Sequence, residues 1–181
     1  DGFLNVRVLD STDPAAISKS FGASDPASTL YVPATKSGGT VETLSLLKYA
    51  YRQAIDALGP TAGDHFVAIT DPGSGLAELA TRLDFRHIFL NDPDIGGRYS
   101  ALSMFGLVPA ALCGIDIRAL LQSARQAVDE LTSLDVDAPS VLLGTLLGCG
   151  ALHGRDKLTL SASPTLEPMG VWIEQLIAES T

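Results

Sequence analysis

Charged residues are scarce in this chain, and positive charge is scarcer than negative charge. Only 18% of the 181 residues are charged, 46% are hydrophobic, and the formal net charge is −9. This apolar content predicts a folded chain with a sizeable core rather than a disordered one, and the length suits one domain, alone or with a fragment of another. Proteins that bind nucleic acid usually present a basic face, so the composition argues against nucleic acid as a partner.

Cysteine and long apolar runs are also scarce. Cys113 and Cys149 lie in apolar runs without metal-ligand spacing, which predicts buried free thiols in a reducing cytoplasm. The most apolar stretch, residues 141–152, is shorter than the roughly 20 residues that span a bilayer, so we expect a buried helix and no membrane contact. A secretory leader pattern is missing, and we expect both ends to be cut, because no initiator methionine or final capping glycine occurs.

Apolar runs alternate with helical patterns along the chain. Strands are predicted at 5–10, 30–35, 65–70, 86–91 and 157–161, and helices at 41–58, 75–83, 100–113, 116–134, 141–152 and 169–180. Pro109 should kink or divide its helix, and Ser140 is a candidate N-cap. The alternation indicates an α/β fold with a mainly parallel sheet between helices, and we expect a domain boundary near 153–156.

A turn of glycines and hydroxyls follows the second predicted strand, in the sequence "TKSGGTVET" at 35–43. Thr35, Ser37 and Thr40 offer hydroxyls, Lys36 adds a local charge, and the next helix begins with free N–H groups. Together they predict an anion site, although an ordinary helix cap would use the same residues. The nucleotide-binding patterns GxxxxGK[ST] and GxGxxG are both missing.

Two further segments carry candidate catalytic residues, an arginine and a glutamate. Gly96 and Gly97 precede Arg98 after the fourth predicted strand, which fits a guanidinium that steadies an oxyanion, or a surface arginine paired with a nearby aspartate. On the last predicted helix, Glu179 falls at the edge of an apolar stripe, while Glu174 points away from it. A carboxylate partly withdrawn from water can carry a proton, although a solvated glutamate would fit the same spacing.

Three motifs in order resemble glucose-6-phosphate isomerase: "TKSGGTVET", "GGRYSALSMFGL" and "WIEQLIAEST". The version with "DPGSGLAEL" is most similar to the bacterial form fused to a transaldolase. The resemblance implies a three-layer αβα sandwich of sugar-isomerase (SIS) type with flavodoxin-like topology. Residues 1–156 would be most of a first SIS domain without its N-terminal sugar-binding loop, and residues 157–181 the opening strand and helix of a second.

The resemblance also implies a reaction, the interconversion of glucose 6-phosphate and fructose 6-phosphate through an enediolate, without a metal or organic cofactor. Thr35, Lys36, Ser37 and Thr40 would then hold the phosphate, with at least the backbone N–H of Lys36. Gly97 and Arg98 would lie beside the reacting carbons, and Glu179 would move the proton between C1 and C2.

The same resemblance implies that parts of the active site lie outside this chain. The sugar loop, a later histidine and a later lysine are missing, and the histidine would come from the partner in a homodimer. We therefore expect weak binding and low turnover from these 181 residues. A phosphosugar-binding SIS module without catalysis, or a nucleotide-binding α/β domain, are the competing interpretations.

Overall fold

The computed structural model describes residues 4–132 and 137–180, and the chain forms two compact units, one ending at Ile115 and the other beginning at Asp116. The described part of the first unit contains helices α1 to α4 and a parallel pair of strands. The second contains helices α5 to α7. In chain order the elements are α1 (Pro14–Gly22), α2 (Val41–Leu58), β1 (Val67–Thr70), α3 (Gly75–Arg82), β2 (His87–Leu90), α4 (Met104–Leu112), α5 (Ile117–Leu131), α6 (Pro139–Leu152) and α7 (Met169–Ala178).

The sheet is parallel, as the alternation of strands and helices predicts. Strands β1 and β2 pair in register from Val67 with His87 to Thr70 with Leu90. The segment 31–34 lies along the other side of β1 and pairs with it at two isolated parallel bridges, Tyr31 to Phe66 and Ala34 to Ile69. The predicted strand at 30–35 is therefore only partly formed, and Pro33, which has no N–H, interrupts its ladder.

The core of the first unit lies between α2, α3 and the buried strand β1. All four residues of β1 are buried, and Phe66 and Ile69 are among the largest side chains that are fully enclosed. Phe66 stacks on Tyr31 at 4.8 Å and on Phe85 at 5.0 Å between ring centroids. Offset aromatic contacts of this kind add to the burial of apolar area and hold 31–34 against β1.

Two predicted strands do not form. Residues 5–10 and 157–161 have no strand partner among the described residues, and most of their side chains are exposed. A strand exists only when a neighbour accepts and donates its backbone hydrogen bonds, so an extended apolar segment alone is not enough. The predictions of a buried strand at 5–10 and of another at 157–161 are therefore wrong for this structure.

The helix predicted at 100–113 divides at a different residue from the one expected. A 3-10 helix covers Gly97–Leu102, and α4 starts at Met104 with Ser103 as its N-cap. Pro109 lies inside α4 and does not divide it. The hydroxyl of Ser103 accepts a hydrogen bond from the N–H of Phe105, which supplies the break that proline was expected to make.

In the second unit, the helices form where periodicity predicts them, but their burial differs. No residue of α6 is buried, and Leu146 and Leu152 are 70% and 86% exposed, so the expectation of a buried helix at 141–152 is wrong. Cys149 on α6 and Cys113 in the first unit are likewise exposed free thiols rather than buried ones. Ala138, not Ser140, is the N-cap of α6, and the Ser140 hydroxyl donates to the carbonyl of Leu131. Within the described ranges, none of the helices is both long and apolar enough to cross a membrane.

Candidate functional site

Three chain segments leave the sheet at the same edge of the first unit. Thr35 follows the 31–34 segment, Asp71 follows β1, and Asn91 follows β2. Backbone hydrogen bonds from the Asp71 N–H to the Lys36 carbonyl (3.2 Å) and from the Asn91 N–H to the Thr70 carbonyl (2.8 Å) continue the ladder past the strand ends. Ligands of open parallel sheets bind at this carboxyl edge, so the predicted turn 35–40 lies where a ligand is expected.

The first and last hydroxyls of the turn come together. The Oγ1 atoms of Thr35 and Thr40 lie 2.8 Å apart, with Thr35 buried and Thr40 exposed. Thr40 occupies the N-cap position of α2, yet its side chain makes no capping hydrogen bond. The alternative of a simple helix cap is therefore not what the structure contains. An 18-residue helix begins beside two converging hydroxyls, and its first N–H groups have no capping side chain from Thr40.

Ser37 and Gly38 shape the middle of the turn. The Ser37 hydroxyl accepts a hydrogen bond from the Gly39 N–H at 3.2 Å, and Ser37 itself is exposed. Gly38 has φ +69, and a Cβ added there would lie 2.5 Å from the backbone nitrogen of Leu76. The turn thus rests directly on the start of α3, at a distance that only glycine allows.

Lys36 reaches sideways rather than into the turn. Its Nζ atom lies 2.9 Å and 3.1 Å from the two carboxylate oxygens of Asp71 and 3.5 Å from the carbonyl oxygen of Asp92. The ammonium is also 6.0 Å from the centre of the Phe105 ring. Its positive charge is thus already paired with a carboxylate that is largely enclosed.

The hydroxyl network beneath the turn was not predicted from the sequence. Thr70 is fully buried and donates to the carbonyl of Thr35 at 2.7 Å, while its oxygen also lies 2.6 Å from the Ser74 hydroxyl. Ser74 in turn accepts from the Ala77 N–H and caps α3. The unusual place of a threonine at the end of an otherwise apolar strand was the available signal for Thr70.

Gly97 and Arg98 begin the 3-10 helix that follows β2. Arg98 is half-buried, and its guanidinium carbon lies 6.0 Å from the centre of the Tyr99 ring. The loop that carries this pair is closed at its base by Asn91, which is 2% exposed. Its side chain accepts from the Met104 N–H at 3.2 Å and donates to the Asp92 carbonyl at 2.9 Å.

Glu179 is the C-cap of α7, immediately after the last helical residue. Its carboxylate accepts a hydrogen bond from the Gln175 side-chain amide at 3.1 Å, one turn earlier, and the residue is exposed. The predicted partial withdrawal of Glu179 from water is therefore not a feature of this structure. Contacts within the first unit bring residues 35–40 together with the base of the Arg98 loop. Glu179 follows α7, which belongs to the second unit.

The described residues contain no group of three or more histidine, cysteine, aspartate or glutamate side chains placed to hold a metal ion. What the first unit offers instead is a set of hydroxyl and N–H donors at one edge of a parallel sheet, next to a loop that carries an arginine. This combination places the chain among α/β proteins with a parallel sheet whose carboxyl edge carries hydroxyl and N–H donors.

Comparison with known proteins identifies the family. The phosphoglucose isomerase family model matches residues 1–180, so the chain belongs to that family. A glucose-6-phosphate isomerase of Cyanothece sp. strain PCC 7425 is 37% identical over 183 aligned positions, which cover 98% of this chain and 34% of the relative. Another from Rubrobacter xylanophilus is 34% identical, covering 99% of this chain and 42% of the relative. The chain thus spans less than half the length of these relatives.

A solved structure has a related fold. A glucose-6-phosphate isomerase from Chlamydia trachomatis superimposes with a TM-score of 0.65 at 29% identity, covering 77% of this chain and 26% of that one.

Proposed function

We propose that this chain carries the phosphate grip of a phosphosugar isomerase that interconverts glucose 6-phosphate and fructose 6-phosphate. The observation that carries the proposal is the pairing of Thr35 and Thr40 hydroxyls 2.8 Å apart at the start of an 18-residue helix, in a chain of the phosphoglucose isomerase family. Within the part of the chain that the structure describes, each of these hydroxyls is bonded only to the other, so each can turn its proton toward an incoming anion when their mutual bond breaks. Helix N–H groups and the helix dipole then add to the attraction for a dianion.

In this proposal the phosphate is held by Thr35, Ser37 and Thr40 together with the backbone N–H of Lys36. The carbons of the open-chain sugar then extend toward Gly97 and Arg98. Glu179 takes the proton from C2 of the aldose and delivers it to C1 of the enediolate. The hydroxyl proton moves from O2 to O1 in the same conversion, which gives the ketose, and the reverse reaction uses the same carboxylate. The enediolate between these steps carries negative charge on oxygen, which the guanidinium of Arg98 stabilises.

Further features of the proposal follow from the family resemblance. The complete fold is a three-layer αβα sandwich of SIS type with a central, mainly parallel sheet. Residues 1–156 form most of the first SIS domain and 157–181 the opening of the second. The complete protein is a cytoplasmic homodimer, related to the form fused to transaldolase. The 181 residues are a fragment that binds the sugar phosphate weakly and turns it over slowly.

The proposal is tested by extending the chain at both ends to the length of its relatives and measuring isomerisation in a coupled assay. We expect Glu179→Gln to abolish turnover while fructose 6-phosphate still binds. Glu174→Gln, which makes the same chemical change on the same helix, is the matched control and should keep full turnover. Turnover that survives Glu179→Gln would reject the assignment of the base. Full-strength isomerisation by the 181 residues alone would reject the proposal that they are a fragment with slow turnover.

A phosphosugar-binding module without catalysis would behave differently in the same experiment. It would bind fructose 6-phosphate with the affinity of the extended chain and would not isomerise it, with or without Glu179. The remaining alternative is a nucleotide-binding α/β domain. Titration of both sugar phosphates and of a nucleotide into the 181-residue chain tests it, because only such a domain would bind the nucleotide more tightly.

A further inference from the structure

We propose that the Lys36 side chain is a positioning group that ties the phosphate turn to the loop carrying Arg98, and is not a ligand of the phosphate. The inference deepens the proposed function and rests on it for the nature of the ligand. A lysine inside an anion-binding turn would ordinarily be expected to meet the anion directly. The contacts of Lys36 indicate a different use of its charge.

The first argument is the geometry of the ion pair between Lys36 and Asp71. Both carboxylate oxygens lie within 3.1 Å of Nζ, and only 25% of the lysine side chain and 17% of the aspartate side chain are exposed. Backbone atoms join the same two residues, since the Asp71 N–H donates to the Lys36 carbonyl at 3.2 Å. If the ammonium moved to bind a phosphate, the largely enclosed carboxylate of Asp71 would lose its cation, which is unfavourable.

The second argument is what the ammonium touches on its other side. Nζ lies 3.5 Å from the carbonyl oxygen of Asp92, which also accepts from the Asn91 side chain at 2.9 Å and from the Ile95 N–H at 3.2 Å. This carbonyl is at the start of the loop that leads to Gly97 and Arg98. Lys36 itself belongs to the turn 35–40, and its ammonium contacts Asp71 after β1 and the Asp92 carbonyl after β2. This one residue therefore links all three segments at the carboxyl edge.

The third argument concerns charge. With Lys36 neutralised by Asp71, the turn presents no net cation of its own, and the phosphate depends on hydroxyls, backbone N–H groups and the helix start. The ion pair of Lys36 with Asp71 then fixes the position of the turn and does not attract the phosphate. It holds the phosphate end of the substrate at a fixed distance from the loop whose arginine faces the reacting carbons.

The two roles of Lys36 predict opposite signs for one substitution. Asp71→Asn releases the lysine, so a phosphate-binding lysine would become more available and fructose 6-phosphate would bind several-fold more tightly. A positioning lysine would lose its fixed place, and binding would weaken by about two- to tenfold. Lys36→Met should weaken binding by a similar factor, and the double variant should be no worse than either single one, because both remove the same link.

A second readout needs no ligand. Hydrogen exchange should be several-fold faster at the amides of Ile95, Tyr99 and Ser103 in both Lys36→Met and Asp71→Asn, because these amides donate within the loop that Lys36 holds. Arg52→Met and Asp56→Asn make the same chemical changes at an exposed ion pair on α2, where Nε and Oδ2 are 3.1 Å apart. These controls should leave the three amides and the affinity unchanged.

The outcomes separate the inference from the function on which it rests. An unaltered chain that binds neither fructose 6-phosphate nor inorganic phosphate overturns the proposed function, while the exchange rates still decide whether Lys36 holds the loop. Tighter binding by Asp71→Asn, or unchanged exchange at all three amides, overturns the positioning role. In the extended chain, we expect Lys36→Met to lower kcat by a larger factor than it raises KM, since the loss falls on the arginine loop.

Discussion

The hydroxyls of Thr35 and Thr40 lie 2.8 Å apart, five residues apart in sequence, because the turn between them folds back over Gly38. The contact joins the end of the 31–34 segment to the start of α2 without using either hydroxyl as a helix cap. The turn is therefore closed before any anion arrives. A ligand has to replace one hydrogen bond rather than order a loose loop, which lowers the entropic cost of binding.

The first prediction concerns the exposed member of this pair. Thr40→Val keeps the shape of the side chain and removes its hydroxyl, so one hydrogen bond to the phosphate is lost. A hydrogen bond to a charged group contributes about 1.5–3 kcal/mol, which corresponds to an increase in Kd of roughly 10- to 100-fold. Isothermal titration of fructose 6-phosphate measures the change.

Thr81→Val is the matched control for that experiment. Thr81 is exposed on α3 and its hydroxyl donates to the Ala77 carbonyl within the helix. The same substitution there should leave Kd unchanged. If Thr40→Val bound fructose 6-phosphate as tightly as the unaltered chain, the hydroxyl pair would have no part in the phosphate grip.

The second prediction separates backbone strain from crowding in the turn. Gly38 and Gly73 have φ of +69 and +70, but an added Cβ would meet backbone nitrogens within 3 Å only at Gly38. Gly73→Ala should lower the free energy of unfolding by about 1–2 kcal/mol, the usual cost of positive φ for an L-residue. Gly38→Ala should lower it by clearly more, because the start of α3 must also move.

Urea denaturation of both variants measures the difference. The contact with Leu76 and Gly75 is the physical reason for it, since these backbone atoms cannot rotate away as a flexible side chain would. Equal destabilisation by the two substitutions would mean that the turn can leave α3 at little cost.

The sequence predicts the features of this structure that depend on neighbouring residues better than the contacts between residues far apart in the chain. Helix α2 and its terminating Gly59 follow from side-chain spacing and backbone preference, which act within a few residues. The turn 35–40 was also predicted, since it is a local pattern of glycine and hydroxyl residues. Strands β1 and β2 were predicted because their apolar residues are continuous and their neighbours lie within the chain.

The features that were missed depend on residues far apart in sequence. The pairing of Lys36 with Asp71 spans 35 residues, and no periodicity reports it, so Lys36 was assigned to the anion. The apolar pattern of residues 5–10 predicts a strand only if another strand lies beside it. Likewise, the leucines of α6 show that the helix is apolar and not that the described residues cover it.

The third prediction concerns the base of the arginine loop. Asn91→Ala removes the acceptor of the Met104 N–H and one donor to the Asp92 carbonyl, both supplied by a side chain that is 2% exposed. Two hydrogen bonds are lost, each worth about 0.5–1.5 kcal/mol, so the unfolding free energy should fall by roughly 1–3 kcal/mol. Asn5→Ala, at an exposed position, should change it little, and the difference is measured by chemical denaturation.

The same variant tests whether the loop matters for chemistry. In the extended chain, Asn91→Ala should lower kcat more than it raises KM, because the phosphate turn keeps its hydroxyls while Arg98 loses its fixed place. A loss confined to stability, with kcat unchanged at a temperature where the variant is folded, would contradict a positioning role for Asn91.

The last prediction concerns alkaline pH. Partial burial of Tyr31 against Phe66 raises the pKa of its phenol, and the charge of Asp25 adds to this while a hydrogen bond with Thr29 opposes it. Above the ordinary value of 10.0, the unfolded chain therefore releases this proton before the folded one does. Tyr31 thus stabilises the fold fully below pH 10 and less as the pH rises toward its pKa in the folded state.

The slope is measurable as a difference between two chains. Each bound proton that separates the folded from the unfolded state changes the unfolding free energy by about 1.36 kcal/mol per pH unit, so Tyr31→Phe should flatten the alkaline decline by up to that amount. Denaturant titrations between pH 9 and 11.5 follow both chains, and the values at pH 7 give the effect of losing the hydroxyl itself. Parallel declines for the two chains would show that Tyr31 titrates alike in the folded and unfolded states, against the burial seen beside Phe66.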